Sequence, residues 1–411
     1  MKKKAILKKP NIFAYAIFHY GCKIFAKLKY NLKIVRNELK GVKTPYVLLA
    51  NHESGIDVVT LSGAIRRKAH FVMSNSFYHT LGMRWALDAC GLIPKQQFQT
   101  NGTDMKKMKA AVATNKLGLV LYPAGLMSEN GESTPMPKST GRVVRWFNQD
   151  VYIAKVEGSY LTKPKWSRNL RKGKVTLSIY KLFDAEILKT MNDDDIQEAI
   201  EKELYFNAYE NQERNKIIYR NGDNIEGLQT VLYQCPKCGK KHVMIIENKN
   251  TIKCKECGYG LVADKYGFLN PLNDNDICYR YPLTWSNKIY DDLAKEIEEN
   301  DEYMLSSKVK IQMISYKKQK YEDVGEGYLT LDKDKFHLTG TAREKEIDIH
   351  FNVESFPIVP FKPGVNFDLQ DNNDIYRMIL ENPSHTMEWV NTLKFFHNKK
   401  VKNEIKQIII E

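Results

Sequence analysis

Apolar runs and helical patterns alternate along residues 44–190 of the chain. Five short β-type runs predict strands over Tyr46–Ala50, His70–Met73, Gly118–Tyr122, Val151–Val156 and Val175–Ile179. Helical spacing predicts helices over Asp57–Arg66, Gly82–Cys90 and Thr103–Asn115. Because strands that interleave with helices are typical of α/β folds, we predict an α/β domain here, with a mixed sheet flanked by helices.

The pattern changes after residue 303, where short β-rich runs are separated by turn residues. These runs are Lys308–Ser315, Gly327–Leu331, Lys335–Thr339, Glu346–Phe351, Asn366–Leu369 and Tyr376–Leu380. A last helix begins at Ser384 and carries Trp389. Six or seven short strands closed by one helix resemble the pleckstrin-homology-like superfold in pattern. We therefore predict a β-rich C-terminal domain, which either contacts lipid or peptide or serves as a plain scaffold.

Two further helices are predicted between these regions, over residues 192–217 and 285–299. We predict domain boundaries in five segments: an N-terminal arm over 1–43, the α/β domain over 44–228, a cysteine-bearing segment over 229–264, a helical connector over 265–302 and the β-rich domain over 303–411.

Composition narrows the class of protein. The chain has 411 residues, of which 43% are hydrophobic and 27% charged, and this balance is typical of globular domains. No run of 18 or more apolar residues exists, so no ordinary transmembrane helix is expected. The basic N-terminus lacks a small-residue cleavage site, so no signal peptide is expected either. We therefore expect a cytoplasmic protein.

The positive charge is concentrated in the arm. Residues 1–43 hold twelve Lys or Arg and one acid, a net +11 out of +14 for the chain. Nucleic acid and anionic lipid both match such charge. Within residues 11–30, aromatic and aliphatic residues recur at helical spacing beside lysines, which favours a helix at an anionic membrane surface and argues against nucleic acid. The membrane contacts would be Phe13, Ile17, Phe18, Lys23, Phe25 and Lys27. The alternative is a basic helix packed on its own domain.

The sequence NHESGID, residues 51–57, follows the first predicted strand. On one ideal helix His52 and Asp57 would lie about 140° apart. They can meet only if His52 lies in the loop and Asp57 in the first helical turn, a bend that Ser54 and Gly55 permit. Such a pair forms a general base, because the carboxylate orients the imidazole while its other nitrogen takes a proton. The alternative is a purely structural role, in which His52 is a loop residue and Asp57 caps the helix.

A second block, YPAGLMS, follows the predicted strand at Gly118–Tyr122. An N-H-x-x-x-x-D block with a strand and Pro-x-Gly about 65 residues later resembles the glycerophospholipid acyltransferase superfamily, which includes lysophosphatidic acid acyltransferases. Gly91–Pro94 resembles the family's second block, and Val151–Val156 its fourth. The resemblance covers roughly residues 10–190, under half of the chain.

The resemblance implies transfer of a fatty acyl group from acyl-CoA or acyl-carrier protein to the hydroxyl of a lysophospholipid. His52 would be the general base and Asp57 its orienting partner. Attack would be direct, since no Ser or Cys nucleophile motif is present.

The sequence departs from the family at two acceptor-binding positions. The family's Glu and Arg, linked to the acceptor's glycerol phosphate, are matched here by Ala124 and Met127. Phosphate would then be held elsewhere, or the acceptor differs. The residues we predict at the substrate are Lys95, Pro123, Gly125, Lys138 and Arg142. For each basic residue the alternative is a solvated surface charge.

Four of the seven cysteines form two C-x-x-C pairs, Cys235 with Cys238 and Cys254 with Cys257, fifteen residues apart and each followed by glycine. Four thiolates in this spacing predict a structural zinc ribbon. A ribbon either staples the fold or docks a partner, protein or nucleic acid. Two alternatives to the enzyme therefore stay open: an inactive acyltransferase-like lipid binder, and a ribbon-based nucleic-acid or protein-binding module.

Overall fold

The computed structural model describes residues 7–97, 102–371 and 374–410. Residues 1–6 of the predicted arm lie outside this range. Contacts divide the described chain into two compact units. The first comprises the residues up to Lys165, Asn169–Gly222 and Lys265–Gly267; the second comprises Trp166–Arg168, Asp223–Asp264 and the residues from Phe268 onward. The five predicted segments and their boundaries stay predictions.

The first unit is built on a seven-stranded sheet. Its strands are β1 (Leu32–Asn37), β2 (Tyr46–Ala50), β3 (Ala69–Ser74), β4 (Ile93–Lys95), β5 (Gly118–Leu121), β6 (Asp150–Glu157) and β7 (Val175–Phe183). They lie in the order β1-β7-β6-β2-β5-β3-β4. β2 is parallel to β5 and to β6, while β7 is antiparallel to β6. All five residues of β2 are buried, as expected of a central strand with helices on both faces.

Ten helices accompany this sheet within the described residues. They are α1 (Ile12–Tyr30), α2 (Asp57–Ala64), α3 (Asn75–Thr80), α4 (Arg84–Ala89), α5 (Gly102–Ala113), α6 (Thr140–Phe147), α7 (Ser159–Thr162), α8 (Ala185–Leu188), α9 (Asp193–Leu204) and α10 (Ala208–Asn215). The predicted mixed sheet flanked by helices is therefore confirmed. β1 and α3 are elements that the sequence pattern did not predict.

The parallel strands determine where a site can form. β2, β3, β4, β5 and β6 run in the same direction, so their carboxyl ends meet at one edge of the sheet. Both motif blocks follow strands that end there, NHESGID after β2 and YPAGLMS after β5. Ligand sites of open α/β sheets lie at this edge.

The single helix predicted over residues 192–217 is wrong: the segment forms α9 and α10. The break occurs because the backbone at Phe206 pairs with a neighbouring loop instead of continuing the helix. Ser133 N–H donates to the Phe206 carbonyl at 3.1 Å, and Phe206 N–H donates to the Ser133 hydroxyl at 2.7 Å. Asn207 then caps α10 through its side chain.

α1 has two different faces. One face is buried in the first unit through Tyr15, His19 and other side chains, and the helix approaches α2 closely at Gly63, where a Cβ would lie 2.8 Å from the Lys23 Cα. The opposite face is open, with Phe13 76% exposed and Ile17 75% exposed. Among the described residues, no helix is both long and apolar enough to cross a membrane.

The second unit combines the cysteine segment with the C-terminal strands. Its elements are β8 (Met244–Glu247), β9 (Thr251–Cys254), β10 (Gly260–Ala263), β11 (Leu269–Pro271), α11 (Pro282–Glu298), β12 (Leu305–Ser315), β13 (Lys320–Leu331), β14 (Lys335–Ala342), β15 (Lys345–Asn352), β16 (Phe361–Lys362), β17 (Asn366–Asp371), β18 (Asp374–Leu380) and α12 (Thr386–Ile410). β8–β11 form one antiparallel sheet. β12–β18 form a second, in the order β15-β14-β13-β12-β18-β17-β16.

The β-rich C-terminal fold is confirmed, with seven strands and a last helix. Trp389 on α12 stacks against the rings of Phe336 and Phe367, and so closes one face of the sheet. The resemblance to pleckstrin-homology domains concerns pattern alone and stays a prediction.

Candidate active site and metal centre

His52 and Asp57 meet as the motif requires. His52 lies in the loop after β2, Asp57 is the first residue of α2, and the His52 Nδ1 lies 2.9 Å from the Asp57 Oδ2. The backbone N–H of Ser54 donates to the same Oδ2 at 2.8 Å. Asp57 is fully buried, and a carboxylate at the first turn of a helix is stabilised by the helix dipole. With Nδ1 bound to the carboxylate, the Nε2 of His52 is left for a substrate.

The other carboxylate oxygen of Asp57 is bound by a residue that is remote in sequence. The Ser159 hydroxyl, just after β6, lies 2.5 Å from the Asp57 Oδ1 and 3.1 Å from the Glu53 Oε2. The backbone N–H of Tyr160 also donates to Glu53 Oε2, at 2.9 Å. Two buried carboxylates therefore share one hydroxyl, behind the histidine.

This arrangement favours a neutral Glu53. Burial, and next the charge of Asp57, raise the pKa of Glu53 to about 8. A hydroxyl has a single hydrogen, so Ser159 can donate to only one of its two carboxyl neighbours. When Ser159 donates to Asp57, a protonated Glu53 can donate to the Ser159 oxygen. The two carboxyl groups then carry one negative charge in total, and that charge lies on Asp57, next to His52.

Asn51 holds the two strands that carry these groups. Its side-chain amide donates to the Val156 carbonyl at 2.7 Å, and its side-chain oxygen accepts the Val156 N–H at 2.8 Å. The last backbone pair between β2 and β6 is Ala50 with Ala154, so Asn51 extends the strand pairing by its side chain. This contact holds Ser159 next to the NHESGID loop.

The YPAGLMS loop covers the histidine. The ring of Tyr122 lies 4.4 Å from the His52 ring, centroid to centroid, at a tilt of 31°. A turn follows, in which Gly125 N–H donates to the Tyr122 carbonyl and Gly125 has φ 71°, a conformation that favours glycine. Ser128 N–H then donates to the His52 carbonyl at 3.0 Å. The two motif blocks are therefore bonded directly to each other.

A cavity of about 350 Å³ opens in front of His52. Its lining combines both motif loops, the loop before α6 and the end of α9 with the residues after it, and includes Asn51, Pro123, Ala124, Lys138, Glu201 and Tyr205. Met127 lies outside this lining, with its sulfur 3.5 Å from where a Cβ on Gly55 would stand.

The predicted substrate residues are placed differently from one another. Pro123 and Lys138 line the cavity, and Gly125 forms the turn behind it, where its carbonyl accepts from Gln97 at 2.6 Å. Lys95 ends β4 and donates to the Gln96 carbonyl at 3.0 Å; burial lowers its pKa. Arg142 is exposed on α6, and neither it nor Lys95 is among the described residues that line the cavity.

Sequence reasoning missed several residues of the site. Ser159 is separated from Asp57 by 102 positions, and no local motif marks it. Glu53 stands inside the NHESGID block, where a carboxylic acid between the two catalytic candidates was a usable signal. Tyr205 and Phe206 were hidden by the expectation of one continuous helix.

The four predicted metal ligands come together in the second unit. All four Sγ atoms lie within 4.8 Å of one another, with Cys235 and Cys257 3.6 Å apart and Cys238 and Cys254 3.8 Å apart. Tetrahedral zinc with Zn–S bonds of ~2.3 Å needs S–S distances of about 3.8 Å, so the cluster fits zinc. A site closed by four thiolates leaves no open position for catalysis.

Each cysteine pair is followed by a glycine in the left-handed region, Gly239 with φ 71° and Gly258 with φ 74°. Their N–H groups donate to the carbonyls of Cys235 and Cys254, and these two hydrogen bonds close the turns around the cysteine site. Cys235 and Cys254 are also part of the buried core that continues through Trp285 into the C-terminal sheet.

The comparisons with known proteins agree with this geometry. Residues 30–156 match the family model described as Acyltransferase. Residues 228–263 match a zinc-ribbon model described as DNA directed RNA polymerase, 7 kDa subunit. Residues 30–156 are therefore similar to the Acyltransferase family and residues 228–263 to a zinc ribbon, in the two places where the motifs predicted them.

Among solved structures, seven chains match. One is the 1-acyl-sn-glycerophosphate (LPA) acyltransferase PlsC from Thermotoga maritima, at 17% identity and a TM-score of 0.40, covering 46% of this chain and 76% of that chain. The comparison with curated proteins gives no match.

The raised pKa of Glu53 predicts a pH-dependent stability. In the folded protein Glu53 holds its proton up to a pH of about 8, whereas the ordinary value is 4.5. Between these values the folded state binds the extra proton, so the free energy of unfolding falls as pH rises, by up to ~1.4 kcal/mol per pH unit for one group. In Glu53→Gln the neutral amide removes this slope. Urea unfolding between pH 5 and 8.5 measures it.

The control variant is Glu186→Gln, which changes a glutamate whose side chain is 82% exposed and should leave the slope as in the wild type. Equal slopes in the wild type and in Glu53→Gln would show that Glu53 is ionised in the fold.

Proposed function

We propose that this protein transfers a fatty acyl group from a thioester, acyl-CoA or acyl-carrier protein, to the hydroxyl of a lysophospholipid. The observation that carries the proposal is the buried pair of His52 Nδ1 and Asp57 Oδ2, 2.9 Å apart, with His52 lining a cavity of about 350 Å³. The acyltransferase family of residues 30–156 supports the reaction class.

In the proposed reaction the acceptor hydroxyl lies at the Nε2 of His52. As its oxygen attacks the thioester carbonyl, its proton moves to Nε2, and Asp57 stabilises the imidazolium that results. The C–S bond then breaks, and the thiolate leaves with the proton from His52. The contacts of Asp57 with Ser54 and Ser159 keep its carboxylate fixed during both proton transfers.

The cavity bears on which acceptor is bound. Ala124 places a methyl group in the lining, where it cannot bind phosphate. Lys138 is exposed and also lines the cavity, so we assign it to the anionic group of the acceptor. Glu201 on the same lining would disfavour an acceptor whose negative charge lies deep in the cavity.

We further propose that α1 rests on the cytoplasmic face of an anionic membrane. Phe13, Ile17 and Phe25 are exposed, and Lys23 and Lys27 are exposed beside them. Phe18 is partly buried and packs on the core, so it would support the helix and not enter the membrane. Exposed aromatic side chains together with lysines suit the interface of acyl chains and anionic head groups. A lipid acceptor would then reach the enzyme from the membrane.

The first test is thioester consumption by the purified protein, with acyl-CoA or acyl-carrier protein and a panel of lysophospholipids. Loss of the general base in His52→Ala should lower kcat/KM roughly 10²–10⁴-fold. His79→Ala, which changes a histidine outside the cavity, serves as the control and should stay active. Equal rates in wild type and His52→Ala would exclude His52 as the base. No transfer by the wild type, with membrane binding intact, would favour an inactive lipid binder.

Lys138 and Arg142 form a matched pair for the acceptor. Lys138→Ala should raise KM for an anionic lysophosphatidic acid about tenfold, since a hydrogen bond to a charged group contributes ~1.5–3 kcal/mol. It should leave KM for a neutral monoacylglycerol unchanged. Arg142→Ala should behave as the wild type with both acceptors, because Arg142 lies outside the cavity lining. A larger effect from Arg142 would reverse the assignment.

Membrane binding by α1 is tested by sedimentation with phosphatidylglycerol vesicles. Ile17→Glu replaces an exposed apolar side chain that would enter the membrane and adds repulsion from the anionic head groups, so binding should weaken roughly tenfold or more. Ile187→Glu is the control, since Ile187 is also an exposed isoleucine, 48% exposed, but belongs to α8 and not to α1. Equal loss in both variants would mean that the membrane contact is not specific to α1.

A further inference from the structure

A cluster of potential metal ligands lies on the C-terminal sheet, separate from the four cysteines. β14 and β15 pair antiparallel, with His337 opposite His350 and Thr339 opposite Asp348. Alternate residues of a strand share a face, so His337, His350 and Asp348 stand together on the same face. The intervening Leu338 is fully buried on the other face, so the cluster is on the solvent side.

The distances in the cluster point to a common centre. The Nε2 of His337 lies 2.8 Å from the Asp348 Oδ1, and the Nε2 of His350 lies 3.8 Å from the same oxygen. The two rings are 4.2 Å apart. One atom from each residue thus lies within 4.8 Å of the others, and both imidazole Nε2 atoms face one carboxylate oxygen.

We propose that His337, His350 and Asp348 bind a divalent transition-metal ion of the zinc class. Two imidazoles and a carboxylate are the donor set of open zinc sites, in which solvent or another ligand takes the remaining position. Only a small movement of Asp348 is needed, since its oxygen already lies near both nitrogens. Metal coordination would replace the present His337–Asp348 hydrogen bond.

The backbone under the cluster is well suited to hold the ligands in place. β14 and β15 pair along their whole length, from Lys335 with Asn352 to Ala342 with Lys345. Their two-residue turn has Arg343 at φ 52° and Glu344 at φ 63°, the conformation of a tight hairpin turn. Preorganised ligands lose little conformational entropy on binding, which favours metal capture.

A rival cluster in the same unit is less suitable. His242, His385 and Glu388 also lie within 4.8 Å of one another. The rings of His242 and His385 are stacked 3.8 Å apart at 21°. Both oxygens of Glu388 are already bonded, one to Lys241 at 2.8 Å and one to His242 at 2.7 Å. The carboxylate of this cluster is therefore already neutralised by a lysine, whereas no lysine or arginine is bonded to Asp348 among the described residues.

The site on β14 and β15 would differ in character from the cysteine site. Its ligand side chains are 34%, 70% and 47% exposed for His337, Asp348 and His350. The ion would therefore exchange with solvent, whereas the cysteine site is closed.

The test is the zinc content and zinc affinity of the untagged full-length protein, by elemental analysis and calorimetry. Wild type should bind two equivalents, one held tightly by the cysteines and one weaker. His337→Ala and His350→Ala should each retain the first equivalent and lose the second. Cys257→Ser should lose the first. Because both histidines lie on the solvent face of the sheet, neither substitution should change the thermal unfolding transition. An unchanged transition shows that the variants are folded.

His385→Ala is the matched control, because it removes a histidine from the rival cluster and should keep both equivalents. A wild type that binds a single equivalent would overturn the proposal. A second equivalent that survives His337→Ala, or that disappears in His385→Ala, would also overturn it.

Discussion

The buried charge of Asp57 is the constraint on which the first unit depends. A carboxylate that is fully removed from water costs several kcal/mol unless every oxygen is bonded. Here three donors meet it, from the His52 ring, the Ser54 backbone and the Ser159 hydroxyl. These donors come from the loop after β2 and the end of β6. The charge is therefore fully bonded only when both strands are correctly paired, so the contact of His52 with Asp57 depends on the assembly of the sheet.

Glu53 adds a second constraint at the same point. Two carboxyl groups beside one serine hydroxyl would repel each other if both were ionised, and the raised pKa of Glu53 removes that repulsion. The neutral acid then completes the bonding of Ser159 without competing for the His52 proton. A single negative charge stays next to the imidazole, the arrangement that the proposed general base needs. Glu53, which lies between His52 and Asp57 in the motif, therefore has a role of its own: it binds Ser159 without adding a second charge.

The local parts of the site could be predicted from the sequence. The structure explains why the remaining parts could not. The NHESGID and YPAGLMS blocks each follow a strand, and both cysteine pairs sit at ligand spacing, so local patterns sufficed for them. Ser159 joins the site only through the pairing of β2 with β6, a contact that no local pattern reveals. Tyr205 and Phe206 reach the cavity because Ser133 interrupts a helix that continuous polar and apolar spacing had favoured. Long-range hydrogen bonds decided what local periodicity could not.

Long-range contacts also hold the zinc ribbon within its unit. Its buried cysteines share one core with Trp285, and the Trp285 indole N–H donates to the Gln234 carbonyl at 3.0 Å, directly beside the first ligand. Lys241 lies between the two cysteine pairs and is bonded to Glu388 of α12 and Glu296 of α11. A basic residue that is spent on such internal bonds is not available for a phosphate backbone. The ribbon is therefore built into the core of its unit, and its metal closes a turn that the C-terminal sheet and helices pack against. This favours a structural role for the ribbon, because its buried cysteines and Lys241 are engaged within the unit.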